Sequence, residues 1–253
     1  MEGPLVHCLH CAILDRQRGK MAGLRKKRDR RNVLYSGRLQ SWYGKRGSGM
    51  RHIPTGDLPG LDVDFETYLQ RAMEPHEAYD VRKWLFVPDA YTEFRYILGT
   101  RGSHPLICIG INPSTARPDD LDRTLQSVER IALNNGFDSF TMFNVYAQRA
   151  TSPDDMSEEM NLRLHEENMK AFDYCLSLSP APTVWAAWGS IIEKRAYLKH
   201  CLEDMIRHGQ EKGAVWVKCG QVSKKGHPHH PLYLKSTLPL EPFDVTDYVQ
   251  HVL

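Results

Sequence analysis

Two loops concentrate the residue types that do chemistry. Gly226-His227-Pro228-His229-His230-Pro231-Leu232 follows Lys224-Lys225 and holds three histidines and two prolines. Proline fixes φ, so such a loop loses little entropy on ordering, and histidine offers donors that titrate near neutral pH. A metal is the first thought for clustered histidines. His227, His229 and His230, however, lack the i, i+4 spacing of helical zinc ligands and an evident fourth ligand, so no metal is expected. The second loop, Gly110-Ile111-Asn112-Pro113-Ser114-Thr115, offers a side-chain amide, two hydroxyls and backbone N–H groups. It reads equally as a ligand cradle or an ordinary Asn-Pro turn. Between them, Asn144 interrupts the apolar run Phe143-Asn144-Val145-Tyr146. A buried amide must find partners or cost about 1 to 3 kcal/mol, so Asn144 either ties down a loop or reads a ligand. Its one acceptor and two donors suit the edge of a base or a similar amide heterocycle. Arg149, just beyond, is a phosphate ligand or a surface ion-pair partner.

These residues need a scaffold that brings loop ends together. Asp62 to Met73 has helical spacing, and Phe94 to Leu98 and Leu106 to Ile111 read as strands, the second buried on both faces. Asp119 or Asp120 is expected to cap a helix carrying Leu121, Leu125, Val128, Ile131 and Ala132 and ending near Asn135-Gly136. The pattern repeats: strand Phe140 to Tyr146, helix Ser157 to Leu178, strand Thr183 to Trp188, helix from Gly189-Ser190 to about His208, strand Ala214 to Lys218. Alternation of this kind implies an α/β fold, a three-layer α/β/α sandwich with a mainly parallel central sheet and ligand sites beyond the carboxyl ends of its strands. The loops after Ile111 and Cys219 should meet at one end. Gly189, closing a strand at that end, is counted with the substrate-binding positions.

The 253 residues suffice for one sizeable core. Residues 1–51 hold 13 Lys/Arg against 3 acidic residues, leaving 20 basic and 28 acidic of the chain's 33 and 31. Residues 1–59 are therefore read as a basic extension, disordered or a nucleic-acid tether, and 60–253 as a single α/β domain. No run long enough to span a membrane and no signal-peptide pattern is seen, so a cytoplasmic protein with no membrane partner is expected. Six cysteines without a secretory signal read as reduced thiols.

In order along the chain, Ile109-Gly110-Ile111-Asn112-Pro113-Ser114-Thr115-Ala116, Phe143-Asn144-Val145-Tyr146-Ala147-Gln148-Arg149-Ala150-Thr151, Ala186-Ala187-Trp188-Gly189 and the histidine loop through Leu234 resemble the family called domain of unknown function 1643. That family supplies no settled activity. The same motif order resembles the uracil-DNA glycosylase superfamily. By that resemblance Asn112 positions a hydrolytic water, Asn144 reads a flipped base, and His227 or His230, each preceding a proline, stabilises the departing base. Pro113, Ser114, Thr115, Arg149, Gly189 and Lys225 would line the substrate, and Leu232 would be the wedge. The iron-sulfur branch of that superfamily uses four cysteines. Here Cys8-Leu9-His10-Cys11 and Cys175 resemble three of them, but Gln148 occupies the third position and the Cys8 pair lies far upstream, so no cluster and no other cofactor is expected. The aromatic platform that stacks on the base is replaced by the charged, polar stretch Arg117 to Arg123, which leaves the identity of the base open.

The reaction implied is hydrolysis of an N-glycosidic bond in DNA or a nucleotide, with donors preorganised on the charge that develops on the base. Lys224, Lys225 and Arg149 would hold phosphate. Two alternatives stand beside it: a non-catalytic nucleotide or modified-base binding module of the same fold, and an enzyme of free nucleosides or nucleotides.

Overall fold

The computed structural model describes residues 62–253. The basic extension and the Cys8/Cys11 pair lie outside the described residues. Seven strands form one sheet: β1 (Trp84–Val87), β2 (Ile97–Thr100), β3 (Pro105–Gly110), β4 (Ser139–Asn144), β5 (Thr183–Ala186), β6 (Val215–Cys219) and β7 (Leu240–Pro242). Five helices accompany it: α1 (Phe65–Arg71), α2 (Arg123–Asn134), α3 (Leu162–Leu176), α4 (Ala196–Glu211) and α5 (Val245–His251). No helix among the described residues is long and apolar enough to cross a membrane.

The sheet order is β1-β2-β4-β3-β5-β6-β7. Only β4-β3-β5-β6 is parallel; β1 pairs with β2, β2 with β4, and β6 with β7 antiparallel. The expected mainly parallel sheet is thus corrected to a mixed one. The extra strands are short, and β7 ends in Pro242, a residue tolerated at a sheet edge because it has no N–H to donate inward. The central strands β3 and β4 are buried at every position, as strands covered on both faces must be.

Strand side chains alternate between two cores. Ile107, Ile109, Phe143, Val184 and Ala186 join residues of α1, α3, α4 and α5 in one. Leu106, Cys108, Phe140, Met142, Trp185 and Ala187 join Leu125, Val128, Ile131 and Ala132 of α2 in the other. The chain leaves β3 in one direction to β4 and later passes to β5 on the other side of β3. Open sheets take ligands beyond the carboxyl ends of the strands at such a reversal, which here falls between β3 and β5.

The helix starts show how local chemistry sets the frame. α2 is capped by Asp122, whose carboxylate accepts from Leu125 N–H, and not by Asp119 or Asp120. Asp119 is drawn away: it adopts a positive φ of 58° and accepts from Lys83 Nζ and Trp84 Nε1. α3 begins at Leu162 behind an Asn161 cap, later than expected, and Gly189–Glu193 forms a separate 3-10 turn before α4. Cys108, Cys175, Cys201 and Cys219 are free and buried. Burial raises the thiol pKa of each, to about 11 for Cys219 and about 12 for Cys201, so they act as small hydrophobes.

Candidate functional site

The loop after β3 is stitched to the segment after β4. Pairing continues past the strand ends, with Val145 N–H donating to Gly110 O and Tyr146 N–H to Ile111 O, both at 2.9 Å, and Ala150 N–H to Pro113 O at 3.0 Å. Asn112 joins this seam, its Nδ2 donating to Ala150 O at 2.8 Å and to Pro113 O at 3.2 Å. Those two carbonyls fix the amide orientation and leave Oδ1, which can only accept, without a hydrogen bond among the described residues. Pro113 is buried, Ser114 half-buried and Thr115 exposed.

Asn144 is the last residue of β4, in register with Gly110 of β3. Its side chain is 1% exposed, yet neither Oδ1 nor Nδ2 has a hydrogen-bond partner among the described residues. Its backbone, in contrast, is engaged, since Asn168 Nδ2 donates to Asn144 O at 3.1 Å. A Cβ at position 110 would lie 2.6 Å from Met142 Cε and 3.1 Å from Asn144 Oδ1, so Gly110 keeps space open beside the amide. By strand alternation Asn144 follows Phe140 and Met142 on the α2 side of the sheet.

Beneath the same loop lie two arginines. Arg149 is fully buried, its guanidinium stacked 4.2 Å from the Tyr91 ring centre and donating from Nη1 to Ser114 O. Arg95 is 1% exposed and, among the described residues, makes one hydrogen bond, from Nη1 to Ala116 O at 3.0 Å, with none at Nε. Burial and the neighbouring Arg149 cation push its pKa down to about 9, against an opposing pull from Asp122.

The histidine loop divides into two halves. His227, 1% exposed, is held at both ring nitrogens, Nδ1 to Tyr248 Oη at 2.8 Å and Nε2 to Glu193 Oε1 at 3.3 Å. Trp188 Nε1 can only donate, and does so to Tyr248 Oη at 2.9 Å. Glu193 can only accept, so Nε2–H donates to it, and in the neutral ring Nδ1 then accepts from the tyrosine hydroxyl. Lys225 Nζ closes the other side of Glu193 at 2.6 Å. His230 sits differently. The turn it caps is anchored on α2 by Ser127 Oγ donating to Pro231 O at 2.9 Å, which puts it on the same side of the sheet as Asn144. Its Nδ1 accepts from Leu232 N–H at 3.4 Å, so the neutral ring carries its proton on Nε2. Burial holds the ring below its ordinary pKa, while Asp122 opposes that shift. Gly189, at φ 63°, opens the 3-10 turn that follows β5 and lies against this residue, since a Cβ there would lie 3.6 Å from His230 Cβ.

The predicted positions thus fall into two groups. Asn112, Pro113, Ser114, Asn144 and Arg149 gather at the ends of β3 and β4, and Gly189, His230 and Leu232 join them on the α2 side at the end of the neighbouring β5. His227 and Lys225 are gathered instead on Glu193. Gln148 is also internal, exchanging hydrogen bonds with Ser157 at 2.8 and 3.0 Å. Sequence reasoning missed Arg95, Tyr91, Asp122, Glu193 and Tyr248. Arg95 stands between Phe94 and Tyr96 in the strand run, and nothing in that spacing marks an arginine as buried. Among the described residues no group of three or more His, Cys, Asp or Glu is arranged to hold a metal ion.

The sequence profile of the family described as "Protein of unknown function (DUF1643)" matches residues 95–232, more than half of the chain and all of the loops above. The chain belongs to this family. No curated protein and no solved structure matches it.

Proposed function

We propose that this member of the DUF1643 family is a uracil-DNA-glycosylase-like hydrolase of N-glycosidic bonds, acting on a base, modified or not, in DNA or a nucleotide. The fold then reads as a three-layer α/β/α sandwich with antiparallel additions at both edges. The observation that carries the reading is Asn144: a fully buried side-chain amide with donors and acceptor all unused, at the carboxyl end of a central strand and beside a glycine. Buried polar groups are normally satisfied, and an amide left open at a ligand-binding edge is suited to another amide.

The roles follow from what each group can do. Asn112 Oδ1, with its Nδ2 pinned by two carbonyls, accepts from and orients a water. Asn144 accepts from and donates to the base edge. His230, neutral with Nε2–H available, donates to the base oxygen on which negative charge grows as the glycosidic bond breaks. Water attacks the sugar carbon, the bond electrons leave with the base, and the water's proton passes to solvent or base. His227 serves as a brace, because both its nitrogens are committed.

The test is a screen of the full chain for base release from DNA and nucleotides carrying uracil, hydroxymethyluracil and other modified bases, repeated with Asn144→Ala. The expected result is release of one base class, with preference relaxed in the variant. Base or nucleotide binding that depends on Asn144, with no release from any substrate, would replace the enzyme with the binding module.

A further inference from the structure

The Ser114–Ala116 turn is polarised by the two arginines beneath it. Its carbonyls at Ser114 and Ala116 are turned inward to Arg149 and Arg95. The backbone N–H groups of Ser114, Thr115 and Ala116 donate to no acceptor among the described residues. Those three N–H groups are left to an acceptor from outside the segment, while the two guanidiniums hold its carbonyls from the other side. Arg95 is an independent observation beside the N–H groups. A buried cation is normally paired with a carboxylate, but Arg95 makes no ion pair among the described residues, bonds a single carbonyl and leaves its Nε open. The carboxylate that acts on it, Asp122, is occupied as the cap of α2.

We propose that the Ser114–Ala116 turn, backed by Arg95 and Arg149, binds a phosphate group, so that the substrate read at Asn144 is a nucleotide and not a free base or nucleoside. The proposal rests on the reading of Asn144 as the base-recognition residue for its substrate assignment, while the anion site itself does not. The phosphate is the monoester of a free nucleotide or the diester of a strand, two sources with the same oxygens. In both, the turn supplies N–H donors, and the arginines supply the field and hold the carbonyls out of the way.

The experiment is calorimetric titration of the full chain with inorganic phosphate at constant ionic strength, then with deoxyuridine, deoxyuridine 5′-monophosphate and a single-stranded oligonucleotide lacking terminal phosphate. Saturable phosphate binding is expected, weakened roughly tenfold or more by Arg95→Met, as fits loss of a charge-assisted partner. Thr115→Pro, which removes one N–H from an exposed position, is expected to weaken it as well and decides alone if Arg95→Met does not fold. A gain of the monophosphate over the nucleoside identifies the monoester, and binding of the strand alone identifies the diester. Absence of saturable phosphate binding, or parent-like binding by folded Thr115→Pro, overturns the proposal. Phosphate binding that survives while Asn144→Ala leaves base preference unchanged would remove the base-reading role and keep the anion site.

Discussion

Two sets of polar side chains, one running from the buried Trp188 and His227 out to exposed Glu193 and one buried, are wired in opposite ways. The Trp188, Tyr248, His227 and Glu193 chain is closed, each donor meeting an acceptor and the last acceptor meeting Lys225. Asn144 and Arg95 are open, with an amide and a guanidinium nitrogen unused. A buried polar group that is satisfied makes one structure rigid; one that is not destabilises the fold until something else satisfies it. On the proposed function, the closed set is the support and the open set meets the substrate.

The largest test of this contrast is at the two histidines. His230→Ala is expected to lower single-turnover base release by about 10² to 10³, the usual effect of losing one preorganised donor, with binding of an uncleavable analogue nearly unchanged. His227→Ala should do the reverse, lowering the urea midpoint while release per folded molecule is retained. Equal losses of binding and rate in both would mean folding damage alone.

Next in size is Asn144→Leu. Replacing an unsatisfied buried amide by an apolar side chain of similar volume is expected to stabilise the protein by about 1 to 3 kcal/mol while abolishing base preference. Tyr248→Phe is its mirror, breaking a closed chain and destabilising by a similar about 1 to 3 kcal/mol, read from chemical denaturation. A destabilised Asn144→Leu would mean that the amide has partners in the native state.

Gly189→Ala should destabilise by about 1 to 2 kcal/mol through its positive φ alone, since the nearest contact, His230 Cβ at 3.6 Å, is ordinary. The smallest effect is on pH. The His230 pKa is depressed below its ordinary 6.5, so below that pH the unfolded chain binds more protons than the folded one. Stability contributed here is present above 6.5 and is lost as pH falls toward the depressed value. Denaturation across that window should show a slope that His230→Gln removes.

The parallel half of the fold and the loops of the site were legible because apolar strand runs, Asn-Pro and the prolines of the histidine loop are local signals. The edges were not. β1 is a four-residue apolar run without alternation, and β7 is three residues around a proline, so only pairing with β2 and β6 makes them strands. The α2 start was misplaced because three aspartates compete for the cap and Trp84, far upstream in sequence, settles which one is diverted. Arg95 was invisible for the same reason: its burial depends on a turn and a second arginine from other parts of the chain. Likewise the surroundings of His227 and His230, interchangeable in sequence, are told apart by Tyr248 in the last helix.

That helix has a consequence for how portable the site is. The family segment ends at residue 232, whereas Tyr248 sits on α5, and Val252 packs where a Cβ on Gly226 would come within 2.8 Å of it. A chain trimmed to residues 95–232 would keep Asn112, Asn144 and His230 but lose the hydroxyl that sets the His227 tautomer. It would lose β1 and β7 as well, exposing the unpaired edges of β2 and β6. The shared segment carries the residues proposed to act, and the flanks carry contacts that hold them, so grafting the segment alone would transfer the parts without the instrument.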